Sequence, residues 1–231
     1  MFKKHKQGKC WEPNVPKGVK PTSKLNQKYY FRSIKEKKMN ENMSSNVYLP
    51  KVMVFIDAEY VIQSLKDTKN LEPTNLKNID WSNLINWVSD GYHLIRTYYY
   101  TAKQSKTKGN RSYRSQIVYL RQLKEQIQYL EIKQGKLIQQ GDSWVQKGVD
   151  VMLAVDLVMS AVNNHYDIAV VFAGDSDFTY ALQSVKNLGK QVELFTFDRS
   201  DCSSCDDFIL SADVHTMIDA EIIQQNNLVK E

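Results

Sequence analysis

The chain has 231 residues, of which 42% are hydrophobic and 25% charged, and a formal net charge of +5. This is enough apolar content for a globular core, and no stretch approaches the roughly 18 apolar residues of a membrane span. The charged N-terminus is followed by no apolar segment, so a secretory signal is not expected. A cytoplasmic protein is expected, which agrees with three unevenly spaced cysteines.

The positive charge is concentrated near the N-terminus. Residues 1–50 hold 12 Lys and Arg against 3 Asp and Glu, whereas residues 51–231 hold 19 against 23. Residues 1–46 also show no helical or strand periodicity. We therefore predict a basic, flexible arm over 1–46 and a folded domain over 47–231. Such an arm is typical of proteins with a polyanionic partner, although a solvated leader explains it equally well.

From residue 51 onward, predicted strands alternate with predicted helices. In chain order the sequence predicts a strand over 51–56, a helix through Val61 and Leu65, a helix over 81–91, a strand over 92–101, a helix over 117–130, a strand over 131–139, a helix over 148–162, a strand over 168–173, a helix over 178–188 and a strand over 191–197. The pattern predicts an α/β fold with a doubly wound, mainly parallel, five-stranded sheet. The helix over 148–162 is apolar nearly all round and is expected to be heavily buried.

Acidic residues stand where two of the predicted strands end. Asp57 follows the first strand, and Asp175 and Asp177 follow the strand over 168–173. Asp150 begins the helix that leads into that second strand. With right-handed crossovers, this helix start lies above the carboxyl end of the strand. Asp57 joins the other three if its strand lies beside that strand. The four acids are then expected to converge at the carboxyl edge of the sheet, where open α/β sheets bind ligands.

The same geometry sorts the remaining acids. Glu59 and Asp198 lie at the correct edge and are further candidates around the site. Asp156 is on a different side of its helix from Asp150, and Asp167 precedes its strand, so neither is expected to take part.

Four neighbouring carboxylates repel one another unless a cation neutralises them. Mg²⁺ or Mn²⁺, which prefer oxygen ligands, would fit and could promote hydrolysis of a phosphodiester. For any one Asp, capping a helix or turn is the better explanation, but four together favour a metal site. No GxxxxGK[ST] or GxGxxG motif supports a nucleotide enzyme of another class.

A run of basic residues lies in a predicted polar loop after the strand over 92–101. It comprises Lys103, Lys106, Lys108, Arg111 and Arg114. Such loops are usually solvated surface, but this one leaves the same edge of the sheet as the acids, where cations could position phosphates.

Several motifs resemble the NYN domain of the LabA/DUF88 family, within the PIN-like nuclease superfamily. They are Lys147-Gly148-Val149-Asp150-Val151, Gly174-Asp175-Ser176-Asp177-Phe178, Leu188-Gly189-Lys190 and, upstream, Val54-Phe55-Ile56-Asp57. The resemblance covers about residues 51–218. It implies a PIN-like three-layer α/β/α fold, a Mg²⁺ or Mn²⁺ site and ribonuclease activity, with the same four Asp at the family's acidic positions. One departure is Tyr60, where the family pattern has Asn.

The first hypothesis is a metal-dependent endoribonuclease acting on single-stranded RNA. The four Asp would hold the ions and serve catalysis, while Lys147, the basic loop and the arm engage phosphates. The alternative is a non-catalytic RNA-binding or regulatory protein on the same fold, which Tyr60 favours. A small-molecule phosphohydrolase is a third reading, but no matching nucleophile motif supports it. A homodimer is left open.

Overall fold

A computed structural model describes residues 48–68, 78–105, 109–141, 143–198 and 206–230. The strands are β1 (Lys51–Asp57), β2 (His93–Lys103), β3 (Leu130–Gln140), β4 (Ser143–Lys147), β5 (Ile168–Phe172), β6 (Gln191–Phe197) and β7 (Val214–Ile218). The helices are α1 (Ala58–Asp67), α2 (Trp81–Ser89), α3 (Asn110–Gln126), α4 (Val149–Val162), α5 (Thr179–Asn187), α6 (Asp206–Leu210) and α7 (Ala220–Gln225), with a 3₁₀ turn at Ser176–Phe178. The predicted arm lies outside the described residues.

The strands form one sheet in the order β4-β3-β2-β1-β5-β6-β7. All neighbours are parallel except β3 and β4, which form an antiparallel pair. The mainly parallel α/β fold is thus confirmed, but the prediction of five strands was wrong, since the described sheet has seven.

The two missed strands, β4 and β7, lie at the edges of the sheet. β4 alternates exposed and half-buried residues, and in β7 only Ile218 is buried. Neither carries the continuous apolar run by which a strand buried on both faces is recognised in sequence. Segments 143–147 and 214–218 are accordingly absent from the five predicted strands.

Successive residues of β1 enter two different cores. Val52, Val54 and Ile56 pack with α1, α2 and α7 on one face of the sheet, and Met53 and Phe55 pack with α4, α5 and α6 on the other. This alternation explains why residues 52–56 of β1 and all of β5 are apolar. It produces three layers, with the sheet in the middle.

Helix α4 is less buried than its composition suggested. Val151, Val155, Met159 and Val162 are 50–66% exposed, because α4 lies in an outer layer and only its opposite side faces the sheet. The expectation of a heavily buried helix was therefore wrong. No helix among the described residues is long and apolar enough to cross a bilayer.

Candidate active site at the carboxyl edge

The centre of the sheet is where the direction of winding reverses. From β1 the chain moves outward to β2 and β3, then returns to place β5 on the other side of β1. Ile56 pairs with Phe172, so the ends of β1 and β5 lie side by side. A crevice at such a switch point is the usual ligand site of open α/β sheets. Asp57 ends one of these strands, and Asp175 and Asp177 follow the other.

Asp57 is largely buried and also caps α1. Its Oδ1 accepts a hydrogen bond from the backbone N–H of Tyr60 at 3.2 Å. Burial raises the pKa of Asp57 to about 6; the Tyr60 hydrogen bond opposes this rise and the charge of Asp150 adds to it. Near neutral pH the ionised form of Asp57 is therefore destabilised by its surroundings. A bound cation would offset this destabilisation.

Asp150 lies in the first turn of α4, two residues after Gly148. Gly148 has φ +84°, a left-handed conformation that turns the chain from β4 into the helix and that side chains disfavour. Partial burial raises the pKa of Asp150, and the charges of Asp175 and Asp177 raise it further. Asp150 thus lies within electrostatic range of all three of the other predicted acids.

Asp175 and Asp177 are exposed and belong to one turn. The Asp177 N–H donates to Oδ1 of Asp175 at 2.9 Å, so Asp175 caps the 3₁₀ turn after β5. The capping role considered for single acids therefore applies to both Asp57 and Asp175.

A small cleft of about 300 Å³ opens between the start of α1 and the start of α4. It is lined by Asp57, Glu59, Tyr60, Gln63, Gln146 and Asp150. Asp175 and Asp177 are not among its lining residues. Gln63 donates to Glu59 at 2.7 Å, and Gln146 comes from β4. Gln63 could have been recognised one turn after Glu59, but Gln146 lies on a strand that the sequence did not reveal.

The donor chemistry of this cleft suits a hard divalent cation, since it offers carboxylate and amide oxygens and no sulfur or imidazole. In the described parts of the chain, however, no three His, Cys, Asp or Glu side chains are close enough together to hold a metal ion. Mg²⁺ is often held by only one or two carboxylates, with water as its other ligands. The cleft fits an ion bound in this way, but not a closed cage of four Asp.

Tyr60 forms the wall of the cleft toward β6. Its ring meets Phe197 edge-on at 5.9 Å between centroids, and its hydroxyl accepts a hydrogen bond from the Phe197 N–H at 3.1 Å. The ring also covers Gly174, where an added Cβ would overlap it. Tyr60 therefore joins α1 to the ends of β5 and β6.

The two acids excluded by geometry are engaged elsewhere. Asp156 accepts a hydrogen bond from the Tyr100 hydroxyl at 3.0 Å and pairs with Lys133 at 3.7 Å. Asp167 accepts from the backbone N–H of Lys51 at 2.8 Å, at the amino end of β1. Asp198 follows β6 and is not among the residues that line the cleft.

The C-terminal part of the predicted basic loop is helix. Lys103 ends β2, but α3 begins at Asn110, so Arg111 and Arg114 lie in its first two turns rather than in a loop. Both arginines are exposed, as is Lys147 at the end of β4. Lys106 and Lys108 lie outside the described residues.

Comparison with known proteins agrees with this architecture. A crystal structure of a protein of unknown function from Vibrio parahaemolyticus RIMD 2210633 superposes with a TM-score of 0.56 at 17% identity, covering 77% of this chain and 98% of that one. At this identity the likeness shows the fold alone. The sequence matches none of the curated proteins. The model of the NYN domain matches residues 51–219, so the chain belongs to the NYN domain family, a family of PIN-like nucleases.

Proposed function

We propose that this protein is a metal-dependent ribonuclease of the LabA/DUF88 type, acting on single-stranded RNA. The observation that supports it most is that Asp57 and Asp150 line one cleft at the carboxyl edge. There the charge of Asp150 raises the pKa of Asp57, and the charges of Asp175 and Asp177 raise that of Asp150. Mutually repelling acids in a crevice at a switch point are more typical of a functional site than of a structural one.

Asp57 and Asp150 are the residues that would hold Mg²⁺ or Mn²⁺, because both line the cleft. When bound there, a divalent cation supplies positive charge that offsets the developing charge on a phosphodiester. Gln63 and Gln146 offer hydrogen bonds at the cleft wall. Asp175 and Asp177 keep the adjoining edge negative and add to its attraction for cations.

Lys147, Lys103, Arg111 and Arg114 supply the charge that binds the RNA backbone. All four are exposed. Contacts of this kind fix the position of the strand and carry no sequence information. RNA selectivity would then depend on groups that touch the bases or the 2′-hydroxyl.

The test is cleavage of an end-labelled single-stranded RNA in Mn²⁺ by wild type and by Asp150→Asn. We expect a loss of at least about 100-fold, a typical cost of removing one charge-stabilising group. Asp156→Asn is the matched control, since it changes the same residue type on the same helix outside the cleft. Equal cleavage by wild type and Asp150→Asn would refute the assignment.

A non-catalytic RNA-binding protein is the second candidate. Tyr60 in place of the Asn of the family pattern favours it. It predicts salt-sensitive RNA binding without turnover, unchanged by Asp150→Asn. Mn²⁺-dependent cleavage that is lost in Asp150→Asn would exclude it.

A further inference from the structure

A second and larger cavity lies along α3. It is a groove of about 730 Å³, within the range of ligand sites. One face of α3 forms its first wall, through residues that recur every three or four positions: Arg111, Arg114, Ser115, Val118, Tyr119, Gln122, Leu123 and Gln126. The opposite wall comes from Ile79, Trp81 and Lys230. At 1.5 Å per residue, the α3 wall is about 22 Å long.

The chemistry of the groove changes along its length. Arg111 and Arg114 lie at the end where α3 begins, and neither forms an ion pair within the part of the chain that the structure describes. The middle is apolar, and Val118 there is 55% exposed. Gln122 and Gln126, at the far end, offer amide donors and acceptors. The groove thus has a cationic end, an apolar centre and an amide end.

The wall of the groove that contains Trp81 leads toward the acidic cleft. Trp81 is buried and donates through Nε1 to the Tyr119 hydroxyl at 2.7 Å. The ring of Trp81 meets that of Tyr99 edge-on at 5.1 Å. Tyr99 in turn pairs with Ile56 of β1, the residue before Asp57. Through Trp81 and Tyr99, the groove is thus connected to the strand that carries Asp57.

We propose that this groove holds the nucleotides of single-stranded RNA that flank the phosphate in the cleft. The arginines bind backbone phosphates, the apolar centre around Val118 covers a base, and the glutamines bond to base edges. This inference rests on the proposed function. A duplex would offer no base face to the apolar centre, because its bases are stacked on one another. An acidic peptide would use the arginines but has no need of the amide end.

The first experiment blocks the groove without changing its charge. Val118→Trp fills the centre, and Ile117→Trp is the matched control, since Ile117 is 49% exposed and does not line the groove. The affinity of the full chain is measured in EDTA for labelled oligoribonucleotides of about 4, 8 and 12 residues, which fall within the usual range of site sizes on single strands. For wild type and Ile117→Trp, we expect the affinity to rise by about tenfold from the shortest to the longest oligoribonucleotide, which corresponds to the stabilisation from one stacked base. For Val118→Trp, we expect a flat dependence.

The second experiment tests the cationic end. Arg111→Gln/Arg114→Gln removes two lining charges, and Arg121→Gln/Lys124→Gln removes two from α3 outside the groove. On a single strand, each phosphate contact contributes about 0.7 to the slope with which the logarithm of affinity falls against the logarithm of salt concentration. Arg111→Gln/Arg114→Gln is therefore expected to reduce this slope by about 1.4. The control pair is expected to leave it near the wild-type value.

The outcomes separate this inference from the proposed function. If wild type neither binds nor cleaves RNA, both fail. If it cleaves RNA but the groove and control variants behave alike, or if it binds no RNA in EDTA, the groove assignment alone is wrong. Binding of an oligoglutamate probe that Val118→Trp abolishes, with RNA affinity unchanged, would assign the groove to an acidic protein partner instead.

Discussion

The ring of Tyr60 lies directly on Gly174, the residue that precedes Asp175. With the hydrogen bond from the Phe197 N–H to its hydroxyl, this contact fixes the first turn of α1 to the ends of β5 and β6. Tyr60 thus makes a packing contact across the switch-point crevice. It also accounts for the glycine, since a Cβ at position 174 would overlap the ring.

Gly174→Ala is expected to destabilise the protein by about 1–3 kcal/mol, the usual cost of overpacking a filled site. Urea denaturation measures this change. In a double-mutant cycle, Tyr60→Leu should recover part of the loss, because the smaller side chain leaves room for the methyl group. Additive effects of the two substitutions would contradict the contact.

Tyr60→Phe keeps the ring and removes only the hydroxyl. The partly buried Phe197 N–H then loses its acceptor, so we expect a loss of about 1 kcal/mol in the free energy of unfolding. Tyr180→Phe is the control, since Tyr180 is 80% exposed and should change stability little. A Tyr60→Phe variant as stable as the control would show that the hydrogen bond contributes nothing.

The raised pKa of Asp57 predicts how stability depends on pH. In the folded chain this pKa is about 6, against 3.8 for an ordinary Asp, so the folded state binds more protons between these values. Stability contributed by Asp57 therefore falls as the pH rises from about 3.8 to about 6, by about 1–3 kcal/mol in total. Above pH 6, Asp57→Asn is expected to be more stable than wild type.

Urea denaturation at pH 4.5 and 7.5 checks this difference, with the exposed Asp206→Asn as control. Millimolar Mn²⁺ at pH 7.5 should stabilise wild type, since a cation that binds only the folded state raises the free energy of unfolding. The difference in this free energy between wild type and Asp57→Asn should therefore decrease. An equal response of both proteins to pH and to Mn²⁺ would show that Asp57 is not strained.

The position of each strand decides how much of the fold could be predicted. β1 and β5 are buried on both faces, so their apolar runs identify them, and the acids that follow place the edge of the site. The edge strand β4 alternates and is short, and Gln146 was missed with it. The groove could not be predicted, because its walls come from residues far apart in the chain, joined by the bridge between Ile79 and Val229.

Gly135 links the unpredicted strand β4 to the site. A Cβ there would lie 2.6 Å from Cγ2 of Val149 and 2.8 Å from the carbonyl oxygen of Lys147. No side chain therefore fits at this position of β3, where the chain passes from β4 into α4. Gly135→Ala is expected to push this junction outward and with it Asp150, which follows Val149 directly. We expect a loss of about 1–3 kcal/mol in stability, and an RNA cleavage rate at least about tenfold lower, because misplacing a reacting group by about 1 Å is costly.

Gln134→Ala, at the exposed neighbouring position of β3, should change neither quantity appreciably. Cleavage by Gly135→Ala at the wild-type rate, despite reduced stability, would show that the position of Asp150 does not depend on this junction.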